Sequence, residues 1–214
     1  MQRFHVSRAV LGLAGLALLF AAPASRAQAP AKPPAAKPHV AKPAPKPSPA
    51  AGPAQTTPGA GPIIVVETIR GTFEFETYPD DAPKTVEHVL ALVKKGFYNG
   101  QRFHRAVPNF VVQVGDPQSR DMSKREWWGR GDFTGSGRPV GVAEISKKHL
   151  HVSGAVAMAH PGNPADADSQ FYVTLTAIPK LNGKYAVIGH VVSGADVLAK
   201  LQVADLLKKA YVKP

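Results

Sequence analysis

The chain has 214 residues, 44% of them apolar, with 26 Lys and Arg against 15 Asp and Glu and no cysteine. That length and apolar share allow one domain plus an extension, and the missing thiols exclude disulfides, cysteine-bound metal and lipid attached through cysteine. The net charge of +11 is unevenly spread: three basic residues fall in 1–27 and four in 28–62, leaving 19 against all 15 acids over 63–214, a net of +4.

Arg3 and Arg8 precede an apolar run from Ala9 to Ala22, and Ser25-Arg26-Ala27 then supplies small residues of the kind a signal peptidase reads. Residues 1–27 are therefore expected to be a cleaved leader, since a membrane span needs about 20 apolar residues and this run stops at Pro23. No stable span is expected after cleavage, and the address is periplasmic or otherwise exported. Residues 28–62 are mostly Ala, Pro and Lys, with too little to bury to offset chain entropy. They read as a solvated, proline-stiffened spacer. A net charge of +4 without basic residues clustered among aromatics gives no footprint for nucleic acid.

The domain expected over 63–214 opens with two strands, Ile63 to Ile69 and Thr72 to Tyr78, joined at Arg70-Gly71, the second alternating Phe73, Phe75 and Thr77 with polar or half-polar residues. Asp80-Asp81 before Pro83 marks a helix start, and Val86, Val89, Leu90 and Val93 share one face before Gly96 ends it. His88 reads as a surface residue. A second hairpin follows, Arg102 to Val107 and Phe110 to Val114, broken at Pro108-Asn109. Residues 117–139 are polar and glycine-punctuated, a length that marks a functional or mobile loop. Trp127 and Trp128 point opposite ways on an extended chain, one to anchor the loop by burial and one toward a groove.

Val140 to Ile145 reads as extended, Ala155 to Ala159, Phe171 to Thr176 and Tyr185 to Val192 as strands, Gly194 to Leu201 as a helix, and Lys209 to Lys213 as an edge or closing strand. The fold class is mainly β. Closing an antiparallel sheet removes its edges, so about eight strands and two helices predict a closed eight-stranded antiparallel barrel capped by the helices.

Between residues 105 and 113 stand a guanidinium, Arg105, an amide, Gln113, and a large ring, Phe110, with no acidic residue in that run. This suits gripping a neutral, partly apolar peptide beside a fixed positive charge. It does not suit hydrolysis. His104, His149, His151 and His160 invite a metal or triad reading with Ser153, Ser169 and Asp168, but no H-x-x-x-H and no G-x-S-x-G is present. His149 and His151 are expected to face solvent.

Phe103-His104-Arg105, Pro108-Asn109-Phe110 and Gln113-Val114-Gly115-Asp116, followed by Gly154 to Ala159, Asp168-Ser169-Gln170-Phe171, Leu181-Asn182-Gly183-Lys184-Tyr185 and Val187-Ile188-Gly189, resemble the cyclophilins in order and spacing. The likeness covers the chain from about Ile63 onward, and the expectation is of an exported bacterial member. It implies the same barrel, prolyl cis/trans isomerisation without metal, nucleotide or other cofactor, and proline-containing unfolded polypeptides as partners, handled by a monomer. It further implies Arg105 as the catalytic cation, with Phe110 packing on the proline ring and Gln113 holding the preceding carbonyl. Val111, Ala159, His160, Gln170, Tyr172, Leu181 and Tyr185 then contact the peptide.

Four positions depart from the familiar pattern: Val111 for methionine, Tyr172 for phenylalanine, Tyr185 for histidine, and Lys180 for the tryptophan that lines the pocket and contacts cyclosporin. Lys180 is the doubtful pocket position, and it implies weak cyclosporin binding. The chemistry needs no titrating base, so a flat rate across neutral pH is expected. The other reading is a peptide-holding module of the same fold with little turnover.

Overall fold

The structure, a computed structural model, describes residues 61–130 and 135–214. The leader over 1–27 lies outside the described residues, as does the spacer over 28–62 except for its last two residues. Those two residues bond to the domain. Gly61 N–H donates to the Thr77 carbonyl at 2.7 Å, and Thr77 N–H donates to Pro62 at 3.2 Å. No described helix is long and apolar enough to cross a membrane.

Eight strands and two α-helices follow in the order β1 (Ile63–Thr68), β2 (Gly71–Thr77), α1 (Pro83–Lys94), β3 (Arg105–Val107), β4 (Val111–Val114), β5 (Ala155–Met158), β6 (Phe171–Thr174), β7 (Val187–Ser193), α2 (Ala195–Leu198) and β8 (Leu207–Val212). Every pairing is antiparallel, and the strands lie side by side as β3-β4-β6-β5-β7-β2-β1-β8. The closed barrel expected from sequence is instead an open, curled sheet: among the described residues no ladder joins β3 to β8. β3 is only three residues long, so the chain just before it makes the approach. Arg102 bridges Leu206, Phe103 N–H donates to Asp205 at 3.0 Å, and Leu207 N–H donates to Gln101 at 2.8 Å.

Two other expectations change. Val140 to Ile145 joins no ladder, and its first residues donate instead to the loop carbonyls of Ala167 and Ala165 at 2.8 and 2.9 Å. The helix predicted to reach Leu201 stops at Leu198.

Period-two alternation explains how one sheet carries both a core and a site. On the inner face Val112 and Val114 of β4, Val156 and Met158 of β5, and Phe171 and Val173 of β6 join Phe73, Phe75 and the α1 residues Val86, Val89 and Val93. The outer face of the same strands holds a second cluster, with Val111, Ala155, Ala157, Tyr172 and Val187. β4, β5 and β6 are therefore buried at every position. Their sequences are mostly apolar for that reason, with Gln113 in β4 and Thr174 in β6 the polar exceptions.

Helix α1 begins where Pro83 predicts, but its N-cap residue is Ala82, which has no side-chain cap. The cap arrives from a distant loop. Glu144 accepts from Lys84 N–H at 3.1 Å, from Thr85 N–H at 2.8 Å and from the Thr85 hydroxyl at 2.7 Å, putting a carboxylate at the positive end of the helix. Glu144→Ala is expected to cost about 1 to 2 kcal/mol, read as a lower urea midpoint. An unchanged midpoint would show that the pair adds nothing.

Candidate functional site

The hairpin β3–β4 turns through Val107–Phe110, with Phe110 N–H donating to the Val107 carbonyl at 3.0 Å. Pro108 takes the second position and Asn109 the third, where φ is 57°, a region Asn tolerates better than most residues. Phe110 thereby leaves the strand alternation and reaches the outer face from the turn.

Register then sets a row of side chains. Arg105 pairs with Gln113, Gln113 with Tyr172, and Tyr172 with Ala157. Directly paired residues project to the same side of a sheet, so a cation, an amide and a phenol stand in line across three strands. This row borders a cleft of about 580 Å³. The cleft collects Arg105, Phe110, Val111, Gln113 and Tyr172 from that hairpin and β6. It also collects Ala159 and His160 beyond β5, and Lys180, Leu181 and Tyr185 from the segment before β7. Gln170, the remaining candidate, does not line the cleft but sits behind it, accepting from the Gln113 amide at 2.9 Å. Gln113 is therefore held in one orientation.

Arg105 is exposed, and no carboxylate pairs with it among the described residues. Its guanidinium carbon lies 5.2 Å from the Phe110 ring centroid, and Lys180 Nζ lies 5.1 Å from that centroid. On the opposite wall the Tyr185 ring meets Tyr172 edge-on at 5.7 Å and His160 at 4.5 Å. His160 Nε2–H donates to the Lys184 carbonyl at 2.9 Å while Nδ1 accepts from Gly162 N–H, so that ring is fixed from both ends.

Two lining residues escaped the reading of the sequence, His104 and Gly129, and Trp128 is the member of the tryptophan pair that reaches the groove. The adjacent tryptophans do not divide the work as expected. Trp128 does both jobs, buried with Nε1–H donating to the Asp121 carbonyl at 3.1 Å while lining the cleft, and Trp127 is 58% exposed. The loop is folded into two short 3-10 turns, Pro117–Arg120 and Met122–Trp127, so the opposite-pointing rule for extended chain does not apply.

Asp116 of the Gln113-Val114-Gly115-Asp116 run anchors this loop, accepting from Gln118 N–H at 2.8 Å and from Gly129 N–H at 2.7 Å. Gly129, at φ +72°, then covers the His104 ring so closely that a Cβ would meet its Cδ2 at 2.8 Å. Among the described residues neither His104 nitrogen makes a hydrogen bond of normal geometry, although Gln170 lies near enough to favour the charged ring. Burial pushes His104 down to about 4, with Asp116 and Gln170 opposing and Arg105 adding to the fall. Gly115 is needed for contact, since a Cβ there would stand 2.3 Å from the Ser169 carbonyl oxygen.

The other histidines are not where the sequence placed them. His151 is buried, 2% exposed; its Nδ1–H donates to Asn182 at 3.1 Å and its Nε2 accepts from the Tyr172 hydroxyl at 2.9 Å. The polar Tyr172 hydroxyl, a departure from phenylalanine, is thus satisfied beneath the cleft wall. His149 stacks on Tyr78 at 3.8 Å and pairs with Asp81 at 2.8 Å. His88 is half-buried against Asp168 at 3.2 Å. None of the three expected exposures holds: His149 and His151 pack on the curled sheet instead of looping out, and His88 turns to Asp168. Ser153 and Ser169 each donate to a main-chain carbonyl, of Leu175 and Gly115. Among the described residues no group of three or more acids and histidines is disposed to hold a metal ion.

Residues 63–213 match the family model of cyclophilin type peptidyl-prolyl cis-trans isomerases. The chain belongs to the cyclophilin family. Over 161 residues it is 38% identical to a Brucella abortus protein named "Probable peptidyl-prolyl cis-trans isomerase", covering 74% of this chain and 82% of that protein. It is 36% identical over 143 residues to peptidyl-prolyl cis-trans isomerase B of Bacillus subtilis, covering 65% and 90%. A solved Cryptosporidium parvum cyclophilin, studied with the dipeptide Ala-Pro, superposes with a TM-score of 0.62 at 25% identity, covering 71% of this chain and 99% of that one. This cyclophilin is a peptidyl-prolyl cis-trans isomerase, and its family binds proline-containing peptides.

Proposed function

We propose that this cyclophilin speeds rotation about Xaa-Pro bonds in exported polypeptides as they fold outside the cytoplasmic membrane, acting as a monomer on partly folded chains and not on nucleic acid. The observation that carries the catalytic assignment is Arg105: an unpaired cation in line with Gln113 and Tyr172 and beside Phe110.

A peptide bond resists twisting because resonance gives it partial double-bond character, with a barrier of about 18 to 20 kcal/mol. Twisting localises a lone pair on the prolyl nitrogen. The Arg105 guanidinium donates to that nitrogen, a bond made in the twisted state and not in either planar one, which is the condition for lowering a barrier. Phe110, flanked by Val111 and Leu181, packs on the proline ring. Gln113, oriented by Gln170, holds the preceding carbonyl. Ala159 and His160, with Tyr172 and Tyr185 behind them, grip the chain while the other end turns. In the free protein Arg105 is open to solvent, so the bound peptide itself must exclude water from the bond.

Cis/trans exchange in a blocked Ala-Pro peptide, with and without the protein, tests the reading. Saturable binding without acceleration would leave a peptide-holding module. The export half rests on the arginines, apolar run and small residues of 1–27. Protein recovered from the periplasm or medium is expected to start near Gln28, and cytoplasmic protein retaining Met1 would refute export.

A further inference from the structure

Among the described residues the cleft walls carry two positive side chains, Arg105 and Lys180, and not one Asp or Glu. Neither cation enters an ion pair among the described residues. Both border the Phe110 ring at about the same distance, 5.2 and 5.1 Å, so the charges lie within a few residues of any extended chain whose proline rests on that ring. A solvent-exposed cation over a half-buried phenylalanine keeps its hydrogen-bond donors. Among the described residues no carboxylate in the cleft neutralises them. Of the other polar walls, Gln113, Tyr172 and His160 each already hold a partner, Gln170, His151 and the Lys184 carbonyl.

Arg105 is accounted for by the reaction, but Lys180 is not. It is exposed on the short turn Pro179–Leu181, where an apolar ring would have offered area and no charge. We infer that Lys180, together with Arg105, makes this cleft select prolines flanked by an acidic side chain, the substrate supplying the carboxylate that the protein withholds. This rests on the isomerase reading above and names its substrate class. Opposite charge draws such a chain in and like charge repels a lysine-bearing one, an effect that added salt screens.

The test uses two series of blocked peptides, Ala-Xaa-Pro-Ala and Ala-Pro-Xaa-Ala, with Xaa as Ala, Glu or Lys and exchange followed by NMR. At low salt kcat/KM for Glu is expected to exceed that for Ala by about 3- to 10-fold in at least one series, with Lys below Ala. At about 0.5 M salt the ratios should approach one. Lys180→Glu should invert the order of Glu and Lys, and Lys180→Met should remove the preference for Glu without creating one for Lys. Equal rates for Glu and Ala in both series, or a Glu preference that survives in Lys180→Glu, would overturn the inference. If the Ala peptides are not accelerated at all, the isomerase reading has failed instead; the same order of affinities, read by calorimetry, would then uphold the selection, and equal affinities would refute it.

Discussion

Arg105→Ala is expected to lower kcat/KM for an Ala-Pro peptide by about 30- to 150-fold, the kinetic equivalent of one charge-assisted hydrogen bond of roughly 2 to 3 kcal/mol. The loss should fall on kcat, because the bond forms when the prolyl nitrogen becomes pyramidal and adds little to holding the planar chain. Arg105→Lys should recover only part of it: the charge returns, but as a flexible point donor without the planar fork. Folding is not at stake, since Arg105 is exposed and enters no ion pair among the described residues. The variant should melt where the parent does while the rate falls. If exchange is as fast in Arg105→Ala as in the parent, the cation does not catalyse. In that case Gln113 and the proline-holding wall must carry the effect by constraint alone.

The basis of this prediction was legible in sequence, though its geometry was not. Phe103-His104-Arg105, the Pro108-Asn109 break and Gln113 lie within one local hairpin, whose turn chemistry and alternation are written in adjacent residues. That Tyr172 stands beside Gln113 depends on β4 pairing with β6, a contact across 59 residues that no local pattern encodes. Trp128 could have been suspected from the tryptophan pair, but its inward turn depends on Asp121 and Asp116 folding the loop back. Glu144 as the cap of α1 was beyond reach for the same reason: a capping signal is sought within a few residues of the helix start, and here it comes from another loop. His151 looked like part of a polar, exposed stretch, and the partners that draw it in, Tyr172 and Asn182, lie 21 and 31 residues further along the chain. Short-range chemistry was therefore readable, and whatever depends on strand order or loop docking was not.

The cleft also makes the fold acid-sensitive through a residue the rate does not need. His104 is pushed down to about 4 by burial, whereas in an unfolded chain histidine titrates near 6.5. Between those values the unfolded chain takes up a proton that the native ring refuses, so stability is complete above about pH 6.5, falls as pH drops toward 4, and levels off below. The gap corresponds to about 3 kcal/mol for this one side chain. His151 and His190, also lowered by burial, add in the same direction. The carboxylates Asp81, Asp121 and Asp196 are held below their usual range, and their contributions are lost at more acidic pH, beneath about 4. Urea midpoints should therefore drop between pH 7.5 and 4.5 while kcat/KM stays level from pH 6 to 8, since His104 is neutral throughout that range and Arg105 always charged. His104→Gln should flatten the stability slope by roughly its share, leaving the part due to His151 and His190. Equal urea midpoints at the two pH values would mean that the ring is solvated after all, and a rate that follows a histidine titration near neutrality would put a base into a reaction that the cation was meant to accomplish alone.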